Sequence, residues 1–163
     1  MAIRSVLKMG HPILKQVASP VQRTGESELL ELVQDLEDTM RALNGAGLAA
    51  PQIGVSLRVV VFEVNANPRY PDVEPIPFSV LVNPELEPIG DSMAEDWEGC
   101  LSVPGLRGRV PRHTQLRYRG VDHYGGLIDR CVNGFHARVV QHEVDHHDGV
   151  LFPMRMRDLE ILG

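Results

Sequence analysis

A series of short strand-like segments between two separated helical segments is the feature that most constrains the fold. The first helical segment, SELLELVQDLEDTMRALNG (27–45), repeats apolar residues at steps of three or four and ends at a glycine. The residues that set this period are Leu29, Leu32, Leu36, Met40 and Leu43. A second helix is predicted from about Phe135 to His147, before Asp148 and Gly149. We therefore predict an α+β fold, with antiparallel β-sheets packed around this central second helix and with the first helix on its N-terminal side.

The strand-like segments are rich in β-branched residues and are bounded by turn residues. They are LRVVVFEV (57–64), FSVLVNPEL (78–86), GLRGRVPR (105–112), TQLRYRGVD (114–122) and LIDRCVNG (127–134). Residues 65–77 are rich in proline and are predicted to form a loop. A short helical turn is predicted from His11 to Val17.

Length and composition argue against several classes of protein. The 163 residues fit one domain, residues 1–163, and contain no internal repeat. The net charge of −6 argues against a general nucleic-acid binder, which needs a basic surface. No apolar run approaches the ~18 residues that a membrane span needs, and the N-terminal residues form no signal-peptide core. We therefore expect a cytoplasmic protein without membrane contact.

The two cysteines, Cys100 and Cys131, differ in their surroundings. In a reducing compartment they are not expected to form a structural disulfide. Cys131 lies in a strand-like segment, and we predict that it is a small buried hydrophobic residue.

The stretch VVQHEVDHHDG (139–149) contains the pattern H-E-x-x-H. Residues four apart share one face of a helix, so His142 and His146 can bind one cation while Glu143 reaches its water. Glu143 with His147 is a weaker ligand pair on the adjacent face. The alternative is an exposed polar helix face with a chance histidine pair, because so short a pattern specifies a site only loosely.

A catalytic metal site of this kind needs a third protein ligand. Downstream of His146, Glu160 is the available carboxylate beyond Asp158, but the distal helix of the zinc endopeptidases is missing. Upstream, DWEGCLSVPGLR (96–107) places Cys100 in a turn of small residues, and a thiolate binds soft and borderline metals strongly. Cys100 with the two histidines would form a compact hydrolytic centre.

The glycine-rich stretch GAGLAAPQIG (45–54) lacks the Gly-Lys-Ser/Thr ending of a phosphate loop, so nucleotide binding is not expected. Its small residues allow a substrate backbone to approach closely. Gln52 offers an amide donor of the kind that stabilises an oxyanion. The simpler interpretation is a helix stop followed by a tight connection.

Taken together and in this order, GAGLAAPQ (45–52), EGCLS (98–102) and QHEVDH (141–146) resemble the three motifs of the peptide deformylases. The similarity includes GHPIL (10–14) and VNPEL (82–86) and so spans essentially the whole chain. The resemblance implies a metal-dependent hydrolase that removes the formyl group from the N-terminal formyl-methionine of new polypeptides and releases formate. Its partners would be N-formyl-methionyl nascent peptides, with a transient ribosome contact and no direct nucleic-acid recognition.

The resemblance also assigns catalytic roles to residues of this chain. It implies one divalent cation, with water in the fourth position and three protein ligands, Cys100, His142 and His146. Glu143 would be the general base and then the general acid. Gln52 and the backbone N–H of Leu101 would hold the oxyanion. Fe²⁺ is the metal expected in the cell, although Zn²⁺, Ni²⁺ and Co²⁺ also accept sulfur and nitrogen ligands.

Substrate contacts follow from the same resemblance. Three small residues would pair with the substrate backbone like an added strand: Ala46, Gly47 and Gly99. Arg107 matches a position near the substrate. Leu101 and Val139 would line an apolar pocket for the methionine side chain.

Some residues depart from the family's pattern. His147 stands where many members carry leucine, and we predict that it is exposed and without a catalytic role. Arg138 stands where an apolar residue is common, and it either contacts the substrate or an acidic partner or lies on a solvated rim. The sequence stops at MRDLEILG (156–163), short of a ribosome-docking helix of some members. The other histidines are predicted to be structural or surface residues: His11, His113, His123 and His136.

Three other classes of function remain open from the residues alone. In a cysteine amidase, Cys100 would be the nucleophile and a histidine its base, and the enzyme would resist chelators. In an H-E-x-x-H zinc peptidase, internal peptide bonds of unformylated proteins would be cut. A binding module without catalysis would leave the clustered ligands, base and oxyanion donors unexplained.

Overall fold

The computed structural model describes residues 2–65, 72–157 and the backbone of residues 161–162. Within these ranges the α-helices are α1 (Ser27–Ala42) and α2 (Gly134–Asp145). The strands are β1 (Gly47–Ala49), β2 (Val59–Val64), β3 (Ile76–Pro88), β4 (Met93–Cys100), β5 (Val103–His113), β6 (Gln115–Val121), β7 (Leu127–Asn133) and β8 (Ile161–Leu162).

The strands form two sheets in which every pairing is antiparallel. One sheet has the order β1-β2-β3-β6-β7, and the other has the order β4-β5-β8. Helix α2 packs against strands of both sheets. The predicted α+β fold with antiparallel sheets around a central helix is therefore confirmed. Among the described residues, no helix is both long and apolar enough to cross a membrane.

Helix α1 buries the apolar stripe that its sequence period predicts. Leu29, Leu32, Leu36 and Met40 lie in the core against strands of the five-stranded sheet. Leu43 was predicted to belong to the same stripe, and that prediction is wrong. The helix ends at Ala42, and 42% of the surface of Leu43 is exposed.

Helix α2 begins at Gly134 and continues past Asp145 as a single 3-10 turn, His146–Asp148. Gly149 ends that turn with a φ of 75°, a left-handed conformation that glycine adopts without strain. Every residue from 137 to 147 is buried. A helix that is polar on several faces can be enclosed in this way only if its polar groups find partners.

Some local predictions differ from the structure. The helical turn expected from His11 to Val17 is a 3-10 turn over Pro12–Lys15. Residues 66–71 of the predicted loop lie outside the described residues, and β3 begins at Ile76, inside the range predicted as loop. Cys131 is exposed and not buried, because β7 is an edge strand of its sheet and most of its residues face solvent.

His136, in the first turn of α2, is half-buried against the five-stranded sheet. Its Nε2 atom lies 3.0 Å from the hydroxyl of Tyr118, and its ring centroid lies 5.6 Å from that of Phe62. Burial lowers the pKa of His136 to about 4, and the positive charge of Arg130 acts in the same direction. The imidazole is therefore neutral in the folded protein at pH 7.

We expect His136→Gln to weaken the pH dependence of stability between pH 6.5 and about 4. Because the pKa of His136 is lower in the folded protein, the unfolded chain binds more protons in this window, and the free energy of unfolding falls as pH falls. Glutamine keeps a polar group beside Tyr118 but does not titrate. Denaturant unfolding at about pH 7 and about pH 5 measures the effect. If wild type and His136→Gln lose equal stability between these two pH values, this expectation is contradicted.

Candidate metal centre

Three potential metal ligands converge where β4 ends beside α2. The three potential ligand atoms, one from each of Cys100, His142 and His146, all lie within 4.8 Å of one another. The Cys100 Sγ atom is 3.6 Å from His146 Nε2. The structure thus brings together the three residues that the sequence singled out, whereas Glu160, the alternative third ligand, lies outside the described residues.

Local geometry explains this convergence. In the β4–β5 ladder, Gly99 is opposite Arg107 but Cys100 is opposite Val103, and the register shifts between them. Such an irregularity changes the direction in which a side chain points at the end of a strand. On α2, His142 and His146 are four residues apart and share one face, with ring centroids 5.2 Å apart.

The donor set fits a divalent cation. Sulfur and imidazole ligands suit borderline ions such as Zn²⁺ and Fe²⁺. Nδ1 of His142 lies 2.8 Å from Glu98 Oε1, and a proton on Nδ1 leaves Nε2 as the free donor atom. All three residues are buried, so a cation held there would be screened from bulk solvent.

The two histidines differ in basicity. Burial lowers the pKa of His142, but its hydrogen bonds with Cys100 and Glu98 outweigh burial and raise it well above the usual value. Burial lowers the pKa of His146 well below the usual value, and the charge of His142 adds to the effect. A cation held by His142 would compete with a proton there, and its binding would strengthen as pH rises.

The buried carboxylate of Glu98 lies beside His142 Nδ1 and is held by two arginines. Glu98 accepts two hydrogen bonds from the Arg112 guanidinium, both at 2.9 Å, and one from Arg138 Nη1 at 2.7 Å. Burial raises the pKa of Glu98, but hydrogen bonds from Arg112 and His142 outweigh it and hold the pKa well below its usual range. Arg112 also donates to Asp145 Oδ2 at 2.6 Å, which links the network to the end of α2.

Sequence reasoning did not identify this supporting network. Glu98 and Asp145 are charged residues inside the stretches EGCLS and QHEVDH, and that position was the available signal. Arg112 stands in a strand segment with no pattern that marks it.

The predictions for Arg138 and His147 need correction. Arg138 is not on a solvated rim, because it is 7% exposed and its guanidinium binds Glu98 and two backbone carbonyls. His147 is not exposed, because the 3-10 turn after α2 places it wholly inside the protein.

Glu143 lies beside the ligand cluster. Its carboxylate oxygens are 3.9 Å from His142 Nε2 and 3.9 Å from His146 Nε2. Its Oε1 atom is buried and has no hydrogen-bond partner among the described residues. Burial raises the pKa of Glu143 to about 7, and the nearby negative charges of Glu98 and Asp145 also raise it. A carboxyl group with this pKa can both take up and return a proton near neutral pH.

The Gln52 amide has a fixed orientation. Its Oε1 accepts from the Ala49 N–H at 2.9 Å, so its NH₂ group points towards β4. That group donates to Ser102 Oγ at 3.0 Å and lies 3.5 Å from Cys100 Sγ. Ser102, which sequence reasoning did not identify, therefore holds the amide in place.

The N-terminal segment supports the same region. The Leu7 N–H donates to the Gln52 carbonyl at 2.7 Å, and the Met9 N–H donates to the Ser102 carbonyl at 2.8 Å. The ammonium group of Lys8 donates to the Leu101 carbonyl at 3.4 Å. Residues 7–9 thus join the two segments that carry Gln52 and Leu101.

A cleft opens onto the cluster. It is lined by most of the predicted substrate-contacting residues, which are Ala46, Gly47, Gly99, Leu101 and Val139. Arg107 does not line this cleft, although it is paired with Gly99 across the β4–β5 ladder. A residue larger than glycine at position 47 would clash with Glu143, because a Cβ atom there would lie 2.6 Å from Glu143 Oε2.

This arrangement of buried Cys/His/His donors, an adjacent carboxyl group and an amide donor defines a metal-dependent hydrolase. The polypeptide deformylase family model matches residues 3–161, and the chain belongs to the peptide deformylase family. It is an enzyme that hydrolyses the N-formyl group from the formyl-methionine of new polypeptides and releases formate. The cysteine amidase and zinc peptidase alternatives are not favoured.

Named relatives are similar over nearly their full lengths. The chain is 63% identical to Peptide deformylase 1 of Nitrosomonas europaea over 161 residues, which cover 99% of this chain and 92% of the relative. It is 58% identical to Peptide deformylase 2 of Ralstonia nicotianae, over 99% of this chain and 91% of the relative. A Met-Ala-Ser-bound class I type b peptide deformylase of Acinetobacter baumannii superposes with a TM-score of 0.92 at 39% identity, covering 95% and 99% of the two chains.

Gly47→Ala tests the close packing of β1 on the Glu143 side chain. The added methyl group would displace the carboxyl group, so we expect kcat to fall on the order of a hundredfold while metal content stays unchanged. Formate release and metal analysis of the same samples measure both quantities. Unchanged kcat would mean that Glu143 can move without cost.

Proposed function

We propose that this peptide deformylase works through one divalent cation held by Cys100, His142 and His146, with Glu143 as the proton carrier. The observation that carries the proposal is the convergence of these three ligand atoms within 4.8 Å, with the Glu143 carboxylate 3.9 Å from both histidines. In this proposal, residues 1–163 form one catalytic domain.

When bound, the cation would polarise the formyl carbonyl and make the attacking water more acidic. Glu143 accepts the proton of that water as the new carbon–oxygen bond forms. It then gives the proton to the amine nitrogen as the carbon–nitrogen bond breaks, so that formate and a free amino terminus leave. A pKa of about 7 suits both transfers, and the burial of Glu143 is the main cause of that value.

Gln52 and the backbone N–H of Leu101 stabilise the negative charge that develops on the formyl oxygen. Support comes from the fixed Gln52 amide, whose NH₂ group lies beside Cys100. Leu101 directly follows Cys100 in the turn after β4, so its N–H is close to the cluster. Because the Gln52 amide is held by Ser102 and Ala49, this donor needs little reorganisation during the reaction.

The substrate backbone lies along Ala46 and Gly47 on one side and Gly99 on the other, as an added strand. Among the described strands, β1 lies at an edge of its sheet and pairs with β2 alone, which leaves its other edge for a peptide. Leu101 and Val139 contact the methionine side chain, and Arg107 lies further along the peptide. The Met-Ala-Ser complex of the A. baumannii relative supports this substrate class.

We further propose Fe²⁺ as the metal in the cell, with Zn²⁺, Ni²⁺ or Co²⁺ as possible replacements, because all accept sulfur and nitrogen donors. The substrate is the newly made formylated chain, so the enzyme acts in the cytoplasm and contacts the ribosome transiently.

The decisive experiment pairs metal analysis of purified protein with formate release from formyl-Met-Ala-Ser. We expect one divalent cation per chain and activity that is lost on chelation and restored by Fe²⁺, Ni²⁺ or Co²⁺. Activity that survives chelation and passes through an acyl-enzyme would instead identify Cys100 as a nucleophile. Cleavage of unformylated proteins would identify a peptidase.

Glu143→Ala should keep the metal and lower kcat by about two to four orders of magnitude, the usual size of a lost general base. Glu143→Asp should fall between the wild type and Glu143→Ala, because a shorter side chain spoils the proton-transfer geometry. Formate release by enzyme of measured metal content gives the values. Near-normal turnover by metal-loaded Glu143→Ala would rule out the assigned role.

Gln52→Leu removes the amide donor at similar volume, so kcat should fall by roughly a hundredfold or more with little change in metal content. Steady-state kinetics on formyl-Met-Ala-Ser separate kcat from KM. A change in KM alone would mean that Gln52 positions the substrate and does not stabilise the oxyanion.

Iron-loaded enzyme should lose activity in air faster than nickel-loaded enzyme, with oxidation of Cys100. Cys131 is an exposed free thiol and so reports nonspecific oxidation within the same molecule. Mass spectrometry of both cysteines, alongside activity, follows the reaction. Equal loss in both metal forms, or oxidation confined to Cys131, would count against Cys100 as an iron ligand.

A further inference from the structure

Arg138 lies on α2 one turn before His142 and is 7% exposed. Its Nη1 atom donates to Glu98 Oε2 and to the Val110 carbonyl, both at 2.7 Å. Its Nη2 atom donates to the Ala94 carbonyl at 2.8 Å. A buried guanidinium with three short contacts is held in a single geometry.

These contacts set the position of the Glu98 carboxylate relative to α2. Glu98 Oε2 accepts hydrogen bonds from Arg138 Nη1 and Arg112 Nε. Glu98 Oε1 accepts a hydrogen bond from Arg112 Nη2 and lies 2.8 Å from His142 Nδ1. Arg112 belongs to β5, opposite β4 in the same sheet. Arg138 differs because it comes from the helix that carries His142, and so it fixes the carboxylate against that helix.

We propose that Arg138 is a positioning residue for His142, acting through Glu98. By fixing the carboxylate, Arg138 keeps the His142 proton on Nδ1 and directs Nε2 towards the cation. This inference rests on the proposed metal site and extends it to a residue whose guanidinium binds Glu98 and two backbone carbonyls. Outer groups that orient a metal-bound histidine typically change metal affinity by about 10- to 100-fold when removed.

A purely structural role is the competing explanation, because Arg138 also joins α2 to β4 and β5 through the Ala94 and Val110 carbonyls. Gln141 provides a matched control on the same helix. Its side chain donates to the His113 carbonyl at 2.8 Å and accepts from the His113 N–H at 3.1 Å, so it also joins α2 to β5. It is buried, and it makes no contact with Glu98 among its hydrogen bonds in the described part of the chain.

The test measures Zn²⁺ affinity by chelator competition, in full-length protein without substrate, for Arg138→Met, Glu98→Gln, the double variant and Gln141→Met. We expect Arg138→Met to weaken Zn²⁺ binding by about 10- to 100-fold and Gln141→Met to leave it within about twofold of wild type. Arg138→Met should cause little further loss in the Glu98→Gln background, because both changes remove the same support.

Equal weakening by Arg138→Met in the wild-type and Glu98→Gln backgrounds would overturn the proposal, since Arg138 would then act through the backbone carbonyls. Equal weakening by Gln141→Met would overturn it as well. Arg138→Lys, which keeps the charge but lacks the planar fork, serves where the methionine variant fails to fold. It should bind Zn²⁺ with intermediate affinity, and wild-type affinity would refute the positioning role.

A separate control keeps this outcome distinct from failure of the proposed function. Wild-type protein that binds no Zn²⁺, or that binds it as well after Cys100→Ser, would refute the metal site itself. Zn²⁺ binding that needs Cys100 but is indifferent to Arg138 would refute the present inference alone. In ¹⁵N-histidine spectra of the Zn²⁺ form, the His142 Nδ1 proton should be protected in wild type and exchange faster in Arg138→Met.

Discussion

The Glu98 carboxylate is the group on which the architecture of the site depends. A buried charge without partners is costly, and Glu98, at 4% exposed, is stabilised by two arginines and a histidine. These partners come from β5 and α2, so satisfying one carboxylate fixes two elements against β4. Loss of one partner from such a buried network typically costs about 3–5 kcal/mol. The proposed cation site therefore depends on an electrostatic arrangement that also stabilises the fold.

The same arrangement explains how a polar helix can lie at the centre of the protein. Arg112 bridges Glu98 to Asp145, and Arg155 binds Asp145 from the 3-10 turn Phe152–Arg155. Gln141 is satisfied by the backbone at His113. Some buried atoms lack a hydrogen-bond partner among the described residues, and Glu143 Oε1 and His146 Nδ1 are two of them. Of these two groups, Glu143 is the one proposed to transfer a proton, a role that needs a free oxygen.

Much of the site could be predicted from the sequence, because spacing on a helix and order along the chain carry geometric information. The step of four residues between His142 and His146 places both on one face whatever the rest of the fold does. Cys100 could be identified by its chemistry and by its motif. The roles of these residues as ligands remain proposals, supported by their convergence.

Other features could not be predicted, because they depend on which elements pack together. Arg138 and His147 look solvent-facing when α2 is considered alone, and they become buried because sheets cover the helix on both sides. Cys131 shows the opposite error, since an edge strand exposes residues that its composition suggests are buried. Arg112 is separated by many residues from both of its carboxylate partners, and no local pattern marks such a pairing.

The wide separation of the site residues along the chain also affects folding. Gln52 meets Ser102 across 50 positions and Cys100 meets His146 across 46, while Leu7 and Met9 close the site from the N-terminal end. Proteins dominated by such distant pairings have high contact order and fold slowly, because long loops must close before the pairings form. During synthesis the proposed cation site cannot form until the segment containing His146 has been made and has docked. Catalysis through the proposed ligands Cys100 and His146 would therefore require these distant segments to be folded together.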